Sequence, residues 1–374
     1  MKYLHYFNPE NDIVLGIDAV HYTPSLAVSR FKRAGAILPL WFGNEGDRCL
    51  CEGFEEGWFK EMCSAFHLGT DVYIRGEQGF TAAPWGWSKA ARKRFELEGF
   101  NADVLPDDAM LGKLRELSHR RTASKLNRIL AERLPFAIAP AAVELRNENE
   151  IRQMAKEHAS LVFKQPWSSS GRGIIPCKGT DIERIMPMLN GIIRRQGSVM
   201  AEVRHIPLLD FAMLFNASHG RVEYKGLSLF FNDEGGNYKG NFIASQSVLE
   251  RKIETFCSAE KLKMLTHILP SSLQEIIGDT YTGPFGVDMM LTDNSYCMAP
   301  AIEINLRRTM GHVAMDFFEL HAAPDFEGTY TIVPGDSPAG TGRANIVNGK
   351  LVDGSINLSA PHSGYSFMVE SFCI

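Results

Sequence analysis

The chain has 374 residues, enough for two or three domains, and its 45% hydrophobic and 22% charged content is that of an ordinary globular protein. A formal net charge of −5 supplies no basic field for DNA or RNA, no run approaches the ~20 apolar residues of a membrane span, and the polar, aromatic start Met1-Lys2-Tyr3-Leu4-His5-Tyr6-Phe7-Asn8-Pro9 does not read as a signal peptide. The seven cysteines are scattered and include no Cys-x-x-Cys pair, which points to reduced thiols in a cytoplasmic protein rather than to a disulfide scaffold or zinc site.

Residues 1–115 read as a small open α/β unit. Apolar strands are predicted over 3–7, 36–42 and 71–74, and a helix over 87–97 with Ser88 near its start. The polar stretch Asn8-Pro9-Glu10-Asn11-Asp12 follows the first strand, at the end where open α/β sheets bind ligands. Asn8, Glu10, Asn11 or Asp12 would contact an acceptor substrate there, or cap the turn into a helix near Ile13. Trp85-Gly86-Trp87 is an aromatic platform or core packing.

Residues 116–205 carry helices over 122–133, 147–158 and 181–196, with apolar residues at helical spacing such as Ile182, Ile185, Met186, Leu189 and Ile193. Between the second and third helix, the apolar run Leu161-Val162-Phe163 ends in Lys164. A turn follows, and then Ser168-Ser169-Ser170-Gly171-Arg172-Gly173. A lysine delivered by a strand beside a small-residue loop suits a polyphosphate: free N–H groups and hydroxyls face the anion, and the lysine adds charge. Gly171 and Gly173 would let backbone approach the phosphates closely. The other reading is a glycine-serine hairpin with an incidental lysine. This is not a Walker loop, because the lysine precedes the glycines. Residues 198–203 form the next predicted strand.

Residues 206–374 begin as a meander, with strands over 211–216 and 222–231, and then a glycine-rich polar loop over 232–241. That loop is a flap bringing Lys225 or Lys239 to a phosphate, or a surface hairpin tip. A helix is predicted over 259–269, ended by Pro270, with another over 271–277. Strands over 285–291 and 301–308 pair around an Asn294-Ser295 turn. Side chains alternate along a strand, so Glu303, Asn305 and Arg307 share one face. With Asp288 they offer an all-oxygen set for Mg²⁺, which completes its octahedron with waters and phosphates. Arg307 lies beyond that set, where it would meet phosphoryl or carboxylate oxygens. A polar, solvent-facing strand is the alternative. Past residue 325 only turns and short β runs are legible, among them Pro334-Gly335-Asp336 and Asn348-Gly349.

Taken in order, Lys164, the loop from Ser168 to Gly173, the segment Met200-Ala201-Glu202-Val203, Asp288 and Glu303-Ile304-Asn305-Leu306-Arg307 resemble the ATP-grasp superfamily over residues 115–315. The resemblance implies an α/β (α+β) ATP-grasp fold: an N-terminal open α/β domain (1–115), a small lobe (116–205) and a C-terminal lobe with a β-rich tail (206–374). It implies a cytoplasmic ATP-dependent ligase that joins a small-molecule carboxylate to an amine or thiol through an acyl phosphate, with no nucleic-acid or membrane partner and with a homodimer allowed. A kinase on the same fold, or an ATP-binding module without catalysis, remains the alternative.

In that scheme Lys164 and the loop residues Ser168, Ser169, Ser170, Gly171 and Gly173 hold phosphates. Glu202 and Val203 form the hinge that meets adenine or ribose, and Asp210 is a further ribose candidate. Asp288, Glu303 and Asn305 bind Mg²⁺, with Mn²⁺ as a substitute, while Arg307 steadies the transferred group. Arg121 stands where the family places a basic residue opening a helix; Arg120, Lys225 and Lys239 are the other candidates for phosphate contact.

Overall fold

The computed structural model describes residues 1–168, 173–233, 236–293, 298–336 and 340–372. The N-terminal unit is a parallel sheet. Lys2–Tyr6 lies between Arg48–Cys49 and Phe80–Pro84, and Asp71–Val72 adds to the Arg48–Cys49 edge. The helix Lys89–Leu97 starts where Ser88 accepts from the Ala91 N–H at 3.3 Å, a side-chain cap for an otherwise unpaired donor.

The expected strand over 36–42 is instead the 3-10 turn Leu38–Trp41, following the helix Leu26–Gly35. Pro39 has no N–H for a ladder, and a short apolar run buried on every side carries no period to separate strand from helix. Ile37, Leu38, Leu40 and Trp41 are indeed all buried, and Trp41 donates its indole N–H to the Leu358 carbonyl at 2.9 Å.

A four-stranded antiparallel sheet forms the small lobe. Ser160–Lys164 lies between Ile174–Lys178 and Val199–Val203, and Val143–Leu145 forms the edge beyond Val199–Val203. Glu148–Glu157 and Ile182–Gln196 pack on it through Ile151, Met186, Leu189 and Ile192.

Among the described residues the central sheet has nine strands. Its first part runs Met298–Asn305, Gly283–Thr292, Pro207–Ser218, Arg221–Asn232 and Tyr238–Ile243. The strands past residue 325 continue the same sheet as Gly328–Pro334, Tyr365–Ser371, Lys350–Asn357 and Ala344–Val347. The helix Leu26–Gly35 packs on Tyr365–Ser371, with the Phe31 ring 5.5 Å from that of Phe367. The N-terminal unit and the C-terminal strands therefore share a core.

The helices Arg121–Arg133 and Ala259–Ile277 cover the other half of the sheet through Leu126, Leu130, Leu265, Leu269 and Leu273. Ala259–Ile277 runs straight through Pro270, where a break was expected. An internal proline costs roughly 3 kcal/mol. Burial of a leucine such as Leu265, Leu269 or Leu273 contributes about 1.5–3 kcal/mol, and the three lie on both sides of Pro270 at no measurable exposure. Packing therefore outweighs the lost backbone bond.

Among the described residues no helix is long and apolar enough to cross a membrane. Among the described residues, Cys49, Cys51, Cys63 and Cys177 are free thiols.

Candidate active site

The small lobe faces the central sheet across a cavity of about 160 Å³. Val162, Ile174 and Met200 line it from the small lobe, and Met290, Ala301 and Ile302 from the sheet. Two apolar walls make a slot suited to a planar base. Lys164, Glu202, Arg120 and His205 supply polar lining. Ser124 and Asn127 line it as well, and there Ser124 Oγ and Asn127 Oδ1 are buried without a hydrogen-bond partner among the described residues. Unpaired buried acceptors of this kind are uncommon in folded proteins and mark places where a ligand or water is accommodated.

Lys164 ends its strand buried, at 6% exposure, and its ammonium pairs with the Glu202 carboxylate on the neighbouring strand. Register sets this up: Glu202 stands opposite Val162, two residues before Lys164 on the same face. Val203 stands opposite Leu161 and is not among the lining residues. Asp210 is on Pro207–Ser218, opposite the cavity residue Met290, and accepts from Asn232 Nδ2 at 2.8 Å. Burial pushes its carboxyl above the usual range, while Lys164 and the Asn232 bond pull the other way.

Of the serine-glycine loop, Ser169, Ser170 and Gly171 lie outside the described residues. Ser168 is buried and its hydroxyl accepts from Arg120 Nη2 at 3.1 Å. Gly173 closes the hairpin at φ +81°, where its carbonyl accepts from the Gln165 N–H at 3.2 Å and an added Cβ would lie 2.9 Å from the Gln165 side chain. Glycine is thus required by the turn itself.

The two adjacent arginines diverge. Arg120, buried, donates to the Gln165 carbonyl at 3.0 Å and pairs with Glu303 at 2.9 Å, so it joins the lysine strand's turn to the central sheet. Arg121 points elsewhere, 3.6 Å from Glu144 and 3.8 Å from Glu116, and is not among the cavity residues. Lys225 and Lys239 are more than 40% exposed and pair with Glu223 and Asp233; neither lines the cavity.

Asp288 and Glu303 are direct cross-strand partners on Gly283–Thr292 and Met298–Asn305. Asn305, two residues on, donates from Nδ2 to Asp288 Oδ2 at 3.0 Å, and its Oδ1 accepts from Arg307 at 3.0 Å. Like charges directly opposite repel. Burial and the Glu303 charge push Asp288 up to about 7, against the pull of Asn305, Arg307 and Arg120. Such a pair is eased by a proton or by a cation. Among the described residues no three His, Cys, Asp or Glu side chains gather at one point. A divalent ion here would therefore rest on two carboxylates and the Asn305 amide oxygen, with waters and phosphate oxygens completing its shell. That donor set fits Mg²⁺.

Sequence reasoning left Arg120 as an alternative to Arg121, and it offered no signal for Ser124 or Asn127 beyond polar residues on an otherwise apolar helix face. Asp12 was placed at the first strand's end; its contact with Arg307 spans 295 residues and no local pattern reveals it.

The solved structures similar to this chain include the following three. Biotin carboxylase from Campylobacter jejuni, in a β,γ-ATP complex, matches with a TM-score of 0.55 at 11% identity, covering 100% of this chain and 88% of that one. The biotin carboxylase domain of Hydrogenobacter thermophilus 2-oxoglutarate carboxylase, in complex with MgADP, ADP and bicarbonate, matches at 0.53 and 14%, covering 91% and 83%. Phosphoribosylamine–glycine ligase from Thermotoga maritima matches at 0.50 and 12%, covering 98% and 92%. No family model and no curated protein matches the chain in sequence. At these identities the likeness is one of fold.

Proposed function

We propose that this chain, which has the ATP-grasp fold, is an ATP-dependent ligase joining a small-molecule carboxylate to an amine or thiol. The observation that carries the reading is the link between an interlobe cavity and an acidic set beside it. Lys164 and Glu202 pair on one wall of the cavity, and Arg120, which lines it too, reaches out to Glu303 of the Asp288, Glu303 and Asn305 set, whose own residues do not line it.

In this reading the base lies between the apolar walls, with Glu202 accepting from its amino group or from ribose and Asp210 near the ribose. Lys164 gives up its pairing with Glu202 to bind phosphate oxygens. Arg120 lies between Ser168 and Glu303 and takes the phosphate contact expected of Arg121. Ser168, Ser169, Ser170, Gly171 and Gly173 would supply hydroxyl and N–H groups to the terminal phosphates. Mg²⁺ held by Asp288, Glu303 and Asn305 would neutralise charge on the phosphate oxygens.

The substrate carboxylate oxygen attacks the γ-phosphorus, and the bond to the β–γ bridging oxygen breaks. ADP leaves and an acyl phosphate remains. An amine or thiol then attacks the acyl carbon, the carbon–oxygen bond to phosphate breaks, and the nucleophile's proton passes to solvent. Arg307 steadies the oxygens of the transferred group. A carboxylate needs no general base to attack, so positioning and charge neutralisation suffice. The likeness to a ligase and to two biotin carboxylase structures supports this reading through fold alone.

The test is ADP release by purified protein with Mg²⁺-ATP and pools of carboxylates, amines and thiols. A ligase releases ADP only when an acid and an acceptor are both present. Release with a hydroxyl compound alone assigns the chain to the kinases, and no release with any pool assigns it to the binding modules.

A further inference from the structure

Each side-chain nitrogen of Arg307 has a partner, and one of the two Nη1 N–H groups is left for an oxygen of the transferred group. Its Nε and Nη2 both lie 2.8 Å from Asp12 Oδ2. Nη2 also donates to Asn305 Oδ1 at 3.0 Å, and Nη1 to the Arg308 carbonyl at 3.3 Å. Both side chains of the ion pair are mostly buried, at 14% and 13% exposure. Asp12 comes from the N-terminal unit, in the first turn of Asn11–Ile17.

That turn is itself fixed. Asn8 exchanges two hydrogen bonds with Gly86, at 2.8 and 3.3 Å. A Cβ on Gly86 would fall 2.5 Å from Asn11 and 3.1 Å from the Arg307 Cβ, so this backbone is wedged between the loop and the arginine. Trp85, beside it, accepts from the Arg308 N–H at 3.0 Å. The ends of two N-terminal strands thus set the arginine's place on the central sheet.

The remaining carboxylates whose charge Arg307 feels are Glu303 and Asp288. A buried guanidinium deprived of its partner turns to the nearest anion, because an unpaired buried charge is costly. Without Asp12, those anions are the two carboxylates that the proposed metal requires. We infer that Asp12 is a positioning residue: it holds Arg307 off Asp288 and Glu303, and orients Asn305 through Arg307, so that the pair keeps its negative charge for a divalent cation bound with a nucleotide. The N-terminal unit is then part of the metal site, although none of its residues ligates the ion. This rests on the nucleotide reading of the cleft.

The opposing account makes Asp12 a plug that a substrate carboxylate displaces from Arg307. Calorimetric titration of the full chain with ADP, once with Mg²⁺ and once with EDTA, separates the two. Residues that orient metal ligands typically contribute 10–100-fold to metal affinity. Asp12→Ala should therefore lower the Mg²⁺ enhancement of ADP affinity by roughly tenfold or more, leaving ADP binding in EDTA little changed. Asp12→Asn keeps the size and an acceptor oxygen; it should fall between, and it decides by the same ratio if Asp12→Ala does not fold. An enhancement equal to wild type in both variants overturns the inference. Absence of ADP binding by the wild type removes the nucleotide reading and this inference with it.

Discussion

Glu303→Gln keeps the side chain's size and removes one negative charge from the face shared with Asp288 and Asn305. Two effects compete in the free protein. Burial and, after it, the Glu303 charge raise Asp288 to about 7, and the variant relieves the second of these, which stabilises. The Arg120 pair at 2.9 Å is weakened, which destabilises. Glu303 is 21% exposed, so the pair is partly screened, and the two changes leave the thermal midpoint of the free protein nearly unmoved.

The nucleotide complex differs. A charge 4 Å from a unit charge is worth about 4 kcal/mol at the effective dielectric near a protein surface, and more against a divalent ion, part of it recovered by water taking the vacant position. Losing one such electrostatic contact in a transition state typically costs about 2.7–4 kcal/mol, or ~100-fold in turnover and more. Glu303→Gln should therefore release ADP at least ~100-fold more slowly than wild type, while ADP affinity in EDTA is unchanged. ADP release is followed by a coupled optical assay, with the acid and amine pools that activate the wild type. A variant matching wild type would remove Glu303 from the metal set even with the fold unchanged.

Other perturbations follow from the same geometry. Mg²⁺-ATP should raise the wild-type thermal midpoint by mass action, and Lys164→Ala should shrink that rise because charge-assisted phosphate contacts are lost; an equal rise in both proteins would remove Lys164 from the site. Gly173→Ala places a side chain at φ +81° and should destabilise the small lobe by about 1–2 kcal/mol, read from urea unfolding; an unchanged midpoint would show that the turn tolerates a Cβ. His321 is buried, donates from Nε2 to the Trp41 carbonyl and has an unpaired Nδ1; burial lowers its pKa from 6.5 to about 4. The unfolded chain therefore takes up the proton first as pH falls, and the histidine costs stability increasingly from pH 6.5 down to about 4, by at most about 1.4 kcal/mol per pH unit. His321→Gln can keep the bond to Trp41 but does not titrate, so the stability difference between wild type and variant should shift in the variant's favour over that range; a pH-independent difference would refute the assignment.

What the sequence made legible was what strand alternation controls. Glu303 and Asn305 fall on one face of Met298–Asn305 because a period of two fixes it, and Lys164 ends its strand as expected; Arg307 lies past the strand end, and the register that sets Asp288 opposite Glu303 and Glu202 near Lys164 was not legible. The ATP-grasp architecture followed from the order of those elements. Short unbroken apolar runs and long-range pairings were illegible. Residues 36–42 gave no period, and Pro270 read as a stop because what holds Ala259–Ile277 together, the burial of its Leu265, Leu269 and Leu273 against the sheet, is a tertiary contact with no local signal. The late strands joined the central sheet through partners such as Gly328 opposite Ile243, which no turn signal announces. Arg120 and Arg121 are neighbours at a helix start, where the helical phase that sends one to Glu303 and the other to Glu144 is set by packing.

The central claim is phosphoryl transfer from ATP to a carboxylate. Its most direct measurement uses the acid that activates ADP release, labelled with ¹⁸O in its carboxyl group, with mass analysis of the inorganic phosphate formed. An acyl phosphate broken by an amine or thiol leaves one carboxyl oxygen on phosphorus, so the account predicts one ¹⁸O in each phosphate released with product. Phosphate carrying only solvent or ATP oxygen, or no acid that activates ADP release at all, would contradict it.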